Sequence, residues 1–146
     1  MAKIALKIAR RLKKKGFSVD LELVEIGALL HDIGRSKTHT VHHAIVGAKI
    51  AEQRGLPEPI VKIIERHVGG GITAQEAEKL GWPVKDYIPE TLEEKIVCYA
   101  DKLVEGNKEV PVEVTIRKLA DELGDDHPAI ERIRRLHEEF TSMVNS

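Results

Sequence analysis

The sequence predicts an all-α protein that folds as one domain. Aromatic residues make up only 3% of the 146 residues, and this scarcity favours helices over sheets. Apolar residues recur at the three- and four-residue spacing of a helix, and Gly and Pro separate these periodic segments. Since a chain of this length is close to the usual size of one domain, we expect a compact bundle of about seven to eight helices.

Four helices are predicted in the first half of the chain. The first carries Ile4, Ile8 and Leu12 on one face and ends at Gly16, although no capping residue precedes its periodic run. The next three run from the Asp20 cap to about His31, from about His42 to Arg54, and from Pro57 and Pro59 to about His67.

Four more helices are predicted in the second half. Thr73 can cap a short helix that ends near Leu80, and Thr91 and Glu94 have the spacing of a capping box. The last three helices are predicted at 92–105, before Gly106, at 112–123 and at 128–143. We expect a single domain over 1–146, with a motif-bearing core at 2–104 and C-terminal helices at 112–144.

Composition and charge exclude several classes of protein. The chain is 42% hydrophobic and 32% charged with a net charge of -1, which indicates a globular protein without strong nucleic-acid binding. No apolar run is long enough for a membrane span or a secretory signal, so a cytoplasmic location is expected. Because Cys98 is the only cysteine, a metal site would have to use His, Asp or Glu.

Four predicted helices each carry an ionisable residue on an apolar face. These residues are His31, His43, His67 and Asp101. A single histidine in such a position is more often a hydrogen-bonded core residue than a ligand. A buried carboxylate, in contrast, needs a cation, a hydrogen-bond network or a raised pKa. A shared divalent metal would account for all four residues with one cause, so we favour a metal site.

The segment His31-Asp32-Ile33-Gly34 resembles the motif of a subgroup of the HD domain family of metal-dependent phosphohydrolases. Further matching segments follow the family's order and together cover roughly residues 2–104. They are Ala28-Leu29-Leu30, His43-x-x-x-Gly47, His67 and Tyr99-Ala100-Asp101-Lys102-Leu103. The ordered set is specific, whereas His-Asp alone would be a weak motif.

The resemblance implies an all-helical fold and a ligand set. His31, Asp32 and Asp101 would hold one divalent ion, and in members with two ions Asp32 would bridge while His43 and His67 hold the second. Mixed His and Asp ligands suit Mn, Fe, Co, Ni or Zn more than Mg alone.

The resemblance also implies an activity: hydrolysis of a small phosphorylated substrate such as a nucleotide or another phosphate ester. Asp32 would be the catalytic residue that orients a hydroxide. Many relatives carry Lys after the glycine, where this chain has Arg35, a residue that could hold a phosphate oxygen.

The family's first histidine ligand is missing from the sequence, because no histidine precedes His31. Alignment of the small residues of the first helix places it a few positions before Met1. A start assigned too far downstream, a truncation, or a protein that does without this ligand would each explain the difference. The alternative function is therefore a non-catalytic HD module that binds a nucleotide or a protein partner, and a metal-free helical bundle is a third hypothesis.

Other polar residues are expected outside the site. His42 and His137 are interpreted as exposed residues and His127 as a helix cap, whereas His39 has a smaller chance of reaching a metal. The basic run at 10–15 is interpreted as a solvated helix face, with an anionic partner as the less favoured interpretation.

Overall fold

The structure, a computed structural model, describes residues 1–145, which form eight α-helices and one short hairpin. The helices are α1 (Ala2–Lys14), α2 (Leu21–Leu30), α3 (His43–Gln53), α4 (Glu58–Glu65), α5 (Ala74–Leu80), α6 (Leu92–Asp101), α7 (Val112–Leu123) and α8 (Pro128–Asn145). A 3₁₀ turn at Ile33–Ser36 follows α2, and the strands β1 (Val104–Glu105) and β2 (Lys108–Glu109) precede α7. The prediction of an all-α bundle with seven to eight helices is confirmed.

The main core lies where α1, α2, α6 and α8 meet. Its buried members include Ala9 and Leu12 of α1, Ile96 and Val97 of α6, and Ile133 of α8. Burial of each large aliphatic side chain stabilises the fold by about 1.5–3 kcal/mol. Helix α8 thus packs on the same core as the helices that carry the motif.

Two smaller apolar clusters complete the packing. One joins α3 to α4 through Ala51, Ile60 and Ile64, and the other surrounds Trp82 and Tyr87. Among residues 1–145, no helix combines the length and the apolar character that crossing a lipid bilayer requires.

Three predicted helix caps are present, one of them in altered form. The Asp20 Oδ1 atom accepts a hydrogen bond from the Leu23 amide at 3.0 Å, and Thr73 forms a full capping box at the start of α5. Thr91 Oγ1 accepts from the Glu94 amide at 3.1 Å. In a full capping box the Glu94 carboxylate would also accept a hydrogen bond from the Thr91 amide. This part of the prediction is wrong, because the carboxylate accepts from the Glu90 amide and from Arg66 instead.

Two helices end earlier than the sequence predicts. Helix α6 ends at Asp101 rather than near Glu105, because Val104 and Glu105 pair with β2 across a turn at Gly106. Gly106 has a φ of +63°, which glycine adopts readily. Helix α4 ends at Glu65, so that His67 lies beyond the helix. The ionisable residues therefore lie at helix ends rather than within helices.

A close backbone contact holds the 3₁₀ turn against the start of α3. A Cβ atom on Gly34 would overlap the carbonyl oxygen of His43 and lie 2.7 Å from the backbone nitrogen of Gly47. A Cβ atom on Gly47 would in turn lie 3.1 Å from the Gly34 nitrogen. Glycine at both positions lets these two backbones meet, and this contact fixes Asp32 relative to His43.

Candidate metal centre

Five predicted site residues come together at the ends of four helices. His31 is the C-cap residue of α2, and Asp32 follows it as the residue before the 3₁₀ turn. His43 is the first residue of α3, and His67 lies just beyond α4. Asp101 is the last residue of α6. Helix ends allow neighbouring residues such as His31 and Asp32 to reach one point, whereas on a continuous helix they would diverge by about 100°.

The three histidines are oriented in the same way. Each ring uses Nδ1 to contact the backbone carbonyl three residues earlier, and the distances are 2.7 Å for His31, 2.8 Å for His43 and 2.6 Å for His67. Because a carbonyl oxygen only accepts hydrogen bonds, each Nδ1 must carry a proton. In the neutral ring Nε2 is then a free acceptor, as in histidines that bind metals.

The three Nε2 atoms converge on the carboxylate of Asp32. The Nε2 atom of His31 lies 3.2 Å from Oδ2, whereas those of His43 and His67 lie 3.3 Å and 3.5 Å from Oδ1. One donor atom from each of His31, Asp32 and His67 falls within 4.8 Å of the others. The two oxygens of Asp32 thus face different histidines.

The chemistry of these donors fits a divalent cation. The buried His31 Nε2 atom lies 3.2 Å from Asp32 Oδ2 and 3.3 Å from Asp101 Oδ1, so one ring nitrogen faces two carboxylates. The Nε2 atoms of His43 and His67 lie 2.9 Å apart, and in the neutral rings neither carries a proton. Two lone pairs at this distance repel each other unless a proton or a metal cation lies between them. Imidazole nitrogens beside a carboxylate are ligands that zinc and related divalent metals prefer.

A buried lysine, Lys102, completes the site and was missed in the sequence. Its Nζ donates to Asp101 Oδ2 and to the backbone carbonyl of His67, both at 2.8 Å. The other oxygen of Asp101 lies 3.3 Å from His31 Nε2. Asp101 is half-buried, with 31% of its side chain exposed, rather than fully buried as predicted, and Lys102 provides the cation that balances its charge. The sequence signals for it are its position next to Asp101 and its place in the matching segment Tyr99-Ala100-Asp101-Lys102-Leu103, neither of which assigns it a role.

Burial and charge set the protonation states of the site. Burial lowers the pKa of His31, but hydrogen bonds and charge from Asp101 and Asp32 outweigh it and raise this pKa to about 9. Burial raises the pKa of Asp32, but the neighbouring histidines hold it far below its usual range, and Lys102 and His31 do the same for Asp101. Burial lowers the pKa of His67. The carboxylates are thus ionised and His67 is neutral at pH 7, as metal ligands must be.

Arg35 lies at the edge of the site. Its Nε atom is 3.2 Å from Asp32 Oδ1, and its side chain is 45% exposed. A cavity of about 290 Å³ opens beside it and is lined by His43, His67, Asp101, Lys102 and, from α7, Lys118. The exposed guanidinium can therefore reach an anion in this cavity.

Four other histidines lie outside the cluster. His39 and His42 are exposed, and neither side chain contacts the site residues, although the His39 carbonyl accepts a hydrogen bond from Arg35 at 3.4 Å. His127 Nδ1 accepts a hydrogen bond at the start of α8, which confirms the predicted cap. The predicted exposure of His137 is wrong, because it is half-buried and its Nδ1 lies 2.6 Å from the Tyr99 hydroxyl.

Comparison with known proteins identifies a family. The family model described as HD domain matches residues 1–124, which include α1 to α7. The chain is 48% identical to uncharacterized protein MJ0778 of Methanocaldococcus jannaschii over 144 residues, which are 99% of this chain and 85% of that protein.

Two further proteins share part of the sequence or the fold. The tRNA (cytidine(56)-2'-O)-methyltransferase of Picrophilus torridus is 50% identical over 126 residues, or 85% of this chain, but the chain spans only 36% of its length. The HD domain of the L. monocytogenes phosphodiesterase PgpH, solved in complex with cyclic-di-AMP, superposes with a TM-score of 0.53. The two chains are 18% identical, and the superposition covers 99% of this chain and 88% of the PgpH chain. They therefore share a fold.

Proposed function

The chain belongs to the HD domain family, and from this membership we propose that it is a metal-dependent phosphohydrolase that acts on a nucleotide or another small phosphate ester. The observation that carries the proposal is the common orientation of the three histidines. Each is fixed through Nδ1, so that its acceptor Nε2 points to the carboxylate of Asp32.

The geometry supports a two-ion arrangement of ligands. We assign His31, Asp32 and Asp101 to one divalent ion, and His43 and His67 to a second ion that shares Asp32. This assignment is supported by the two oxygens of Asp32, which face different ligands. Oδ2 faces His31, while Oδ1 faces His43 and His67. This donor set suits Mn, Fe, Co, Ni or Zn better than Mg alone.

Each residue has a distinct role in the proposed reaction. A bound divalent ion lowers the pKa of a water molecule and draws charge from the phosphoryl oxygens. Asp32 is the catalytic residue, since its ionised carboxylate can accept a hydrogen bond from the attacking water and orient it. Arg35 binds a phosphate oxygen through its exposed guanidinium. Lys102 is a positioning residue that holds Asp101 and the carbonyl of His67.

The cavity indicates a small substrate. Its volume of about 290 Å³ is close to the lower limit of about 300 Å³ for known ligand pockets. Arg35 adds positive charge to its lining, which suits a phosphate group, whereas Lys118 is paired with Glu105 of the same lining at 3.0 Å. The similar proteins are named for tRNA methylation and for a complex with cyclic-di-AMP, and these names support a nucleotide, free or as part of an RNA.

A substrate screen tests the proposal directly. Purified protein would be incubated with nucleotides and other phosphate esters in the presence of Mn, Fe, Co, Ni, Zn or Mg. Product release would be measured for each metal. We expect hydrolysis that requires metal and is lost on chelation and in Asp32→Asn. Lys49→Gln, on the exposed face of α3, is the control that should keep full activity. Absence of turnover with every metal would contradict the proposal.

The alternative is a non-catalytic HD module that binds a nucleotide or a protein partner. It is favoured by the absence of histidine from residues 1–30, since the resemblance implies one more histidine ligand ahead of His31, which the alignment places a few positions before Met1. Equilibrium binding measurements separate the two functions. Saturable nucleotide binding without any turnover would favour the module, whereas turnover would exclude it.

Replacing either His43 or His67 with alanine is expected to remove one of two bound ions. The remaining ion should stay with His31, Asp32 and Asp101, so elemental analysis should show about half of the wild-type metal content and hydrolysis should fall. His42→Ala is the matched control, because this neighbour of His43 lies outside the cluster. Unchanged metal content and rate in both variants would mean that His43 and His67 are only core residues.

Metal binding is expected to release a proton and to strengthen as the pH rises. Without metal, His31 has a pKa of about 9 because of Asp101 and Asp32, so at pH 7 its Nε2 is protonated and must lose this proton. The apparent affinity should therefore rise about tenfold per pH unit between pH 7 and 9 and level off above that range. Calorimetry in buffers of different ionisation enthalpy measures the proton count. An affinity independent of pH from 6 to 9 would contradict this assignment.

A further inference from the structure

We propose that the exposed face of α1 binds the phosphate backbone of a single-stranded RNA. Residues 1–19 contain seven Lys and Arg residues and no Asp or Glu, whereas the whole chain has a net charge of -1. The net charge of the whole chain argues against nucleic-acid binding. It is an average, however, and does not show that the first 19 residues carry only positive charges. We use the name cationic face for five of these residues: Lys3, Lys7, Arg10, Arg11 and Lys14.

The cationic face is a continuous stripe. Lys3, Lys7, Arg10 and Lys14 follow one another at spacings of four, three and four residues, which align them along one side of a helix. All are exposed, whereas Ala9, on the opposite side of α1, is fully buried in the core. A helix of 13 residues is about 20 Å long, enough to follow several successive phosphates.

The cations of this face have no partners within the described residues 1–145. None of the described ion pairs involves a member of the cationic face, although nine of the sixteen Lys and Arg residues beyond residue 19 form such pairs. Like charges three or four residues apart repel each other and destabilise a helix. An external polyanion would relieve this repulsion.

The helix dipole explains only part of the stripe. Cations stabilise the last turn of a helix, and Arg11 and Lys14 lie in the last turn of α1. Lys3, Lys7 and Arg10 lie outside that turn and gain nothing from the dipole. Their alignment therefore points to an external partner.

The surface suits a phosphate backbone better than a membrane. A helix that lies on a lipid surface needs a free apolar face, but Ala5, Ala9 and Leu12 of α1 are fully buried in the core. A single narrow stripe on a convex helix can follow one strand, and arginine forks match phosphate oxygens. The choice of RNA rests on the proposed function, in which the substrate nucleotide can be part of an RNA.

Binding of a labelled, unstructured RNA tests the surface. Fluorescence anisotropy would be measured with chelator present, so that failure of the proposed hydrolysis cannot affect the result. The test variant carries Lys3→Gln, Lys7→Gln, Arg10→Gln and Lys14→Gln. The control carries Lys49→Gln, Arg54→Gln, Lys79→Gln and Arg134→Gln, which remove the same charge from exposed cations elsewhere. Circular dichroism would check that both variants keep the wild-type helix content.

We expect the wild-type protein and the control to bind RNA at about 50 mM salt, and the test variant to bind at least about tenfold more weakly. The slope of log affinity against log salt should fall by about 3 in the test variant, since each phosphate contact contributes about 0.7 for single strands. An equal loss in both variants or no wild-type binding would overturn the proposal, and tighter binding of DNA of the same sequence than of RNA would overturn the choice of RNA. Binding to vesicles of anionic phospholipid in place of RNA would overturn it in favour of a membrane.

Discussion

Replacing Asp101 with alanine is expected to abolish metal binding and hydrolysis together. Asp101 Oδ1 lies 3.3 Å from the His31 Nε2 atom, and its pKa is held far below the usual range, so it offers an ionised oxygen at pH 7. Without it, His31 and Asp32 alone would have to retain the first ion. Asp101→Asn keeps the shape but removes the charge and should also impair binding. Elemental analysis and turnover measured on the same samples check both effects.

The structure adds a control that separates charge from folding. Alanine at position 101 leaves the Lys102 ammonium buried without its carboxylate, and loss of one partner of such a pair costs about 3–5 kcal/mol. The double variant Asp101→Asn with Lys102→Met removes both charges and should recover part of this stability while still lacking metal. Full metal occupancy in folded Asp101→Ala protein would refute the role of Asp101 as a ligand.

Replacing Gly34 with alanine is expected to cost about 3 kcal/mol or more in the free energy of unfolding. The added Cβ would overlap the backbone carbonyl of His43 and lie 2.7 Å from the Gly47 nitrogen. Backbone atoms cannot rotate away as a flexible side chain can, so the 3₁₀ turn and α3 must separate. Because this contact fixes Asp32 relative to His43, metal affinity should fall in the fraction that stays folded.

Gly55→Ala is the matched control for this substitution. Gly55 has a φ of +71° and nothing lies within 4 Å of an added Cβ, so alanine there costs only its conformational penalty of about 1 kcal/mol. Denaturant unfolding of the two variants compares these costs. A Gly34→Ala protein as stable as Gly55→Ala would show that the two backbones separate without cost.

Local sequence signals predicted most of the helices because these helices are specified by nearby residues. The Asp20 cap and Thr73 fix the starts of α2 and α5 through bonds within one turn. The end of α6 was not predictable in the same way. Val104 and Glu105 continue a helical pattern, but they pair with β2 instead. The Gly106-Asn107 pair is typical of a hairpin turn, whereas Gly106 alone predicts only the end of a helix.

The ionisable residues of the site were predictable because each interrupts an apolar stripe. Lys102 was not, since its burial depends on the His67 carbonyl, 35 positions away in the sequence. The burial of His137 was not predictable either. Its charged neighbours in the sequence indicate exposure, but its partner Tyr99 lies on another helix. Such pairings depend on how the helices pack, which the local pattern does not contain.

The bond from Lys102 to Asp101 has a consequence for how the protein acquires its metal. The ammonium group already balances one carboxylate, so removal of the ion does not leave the half-buried Asp101 as an isolated charge. The helices should then outlast chelation, unlike small zinc-dependent folds that unravel without their ion. The metal would be an interchangeable component, loaded after folding. Its identity in the cell would follow the supply of free divalent ions, and one preparation of protein could be reconstituted with several of them in turn.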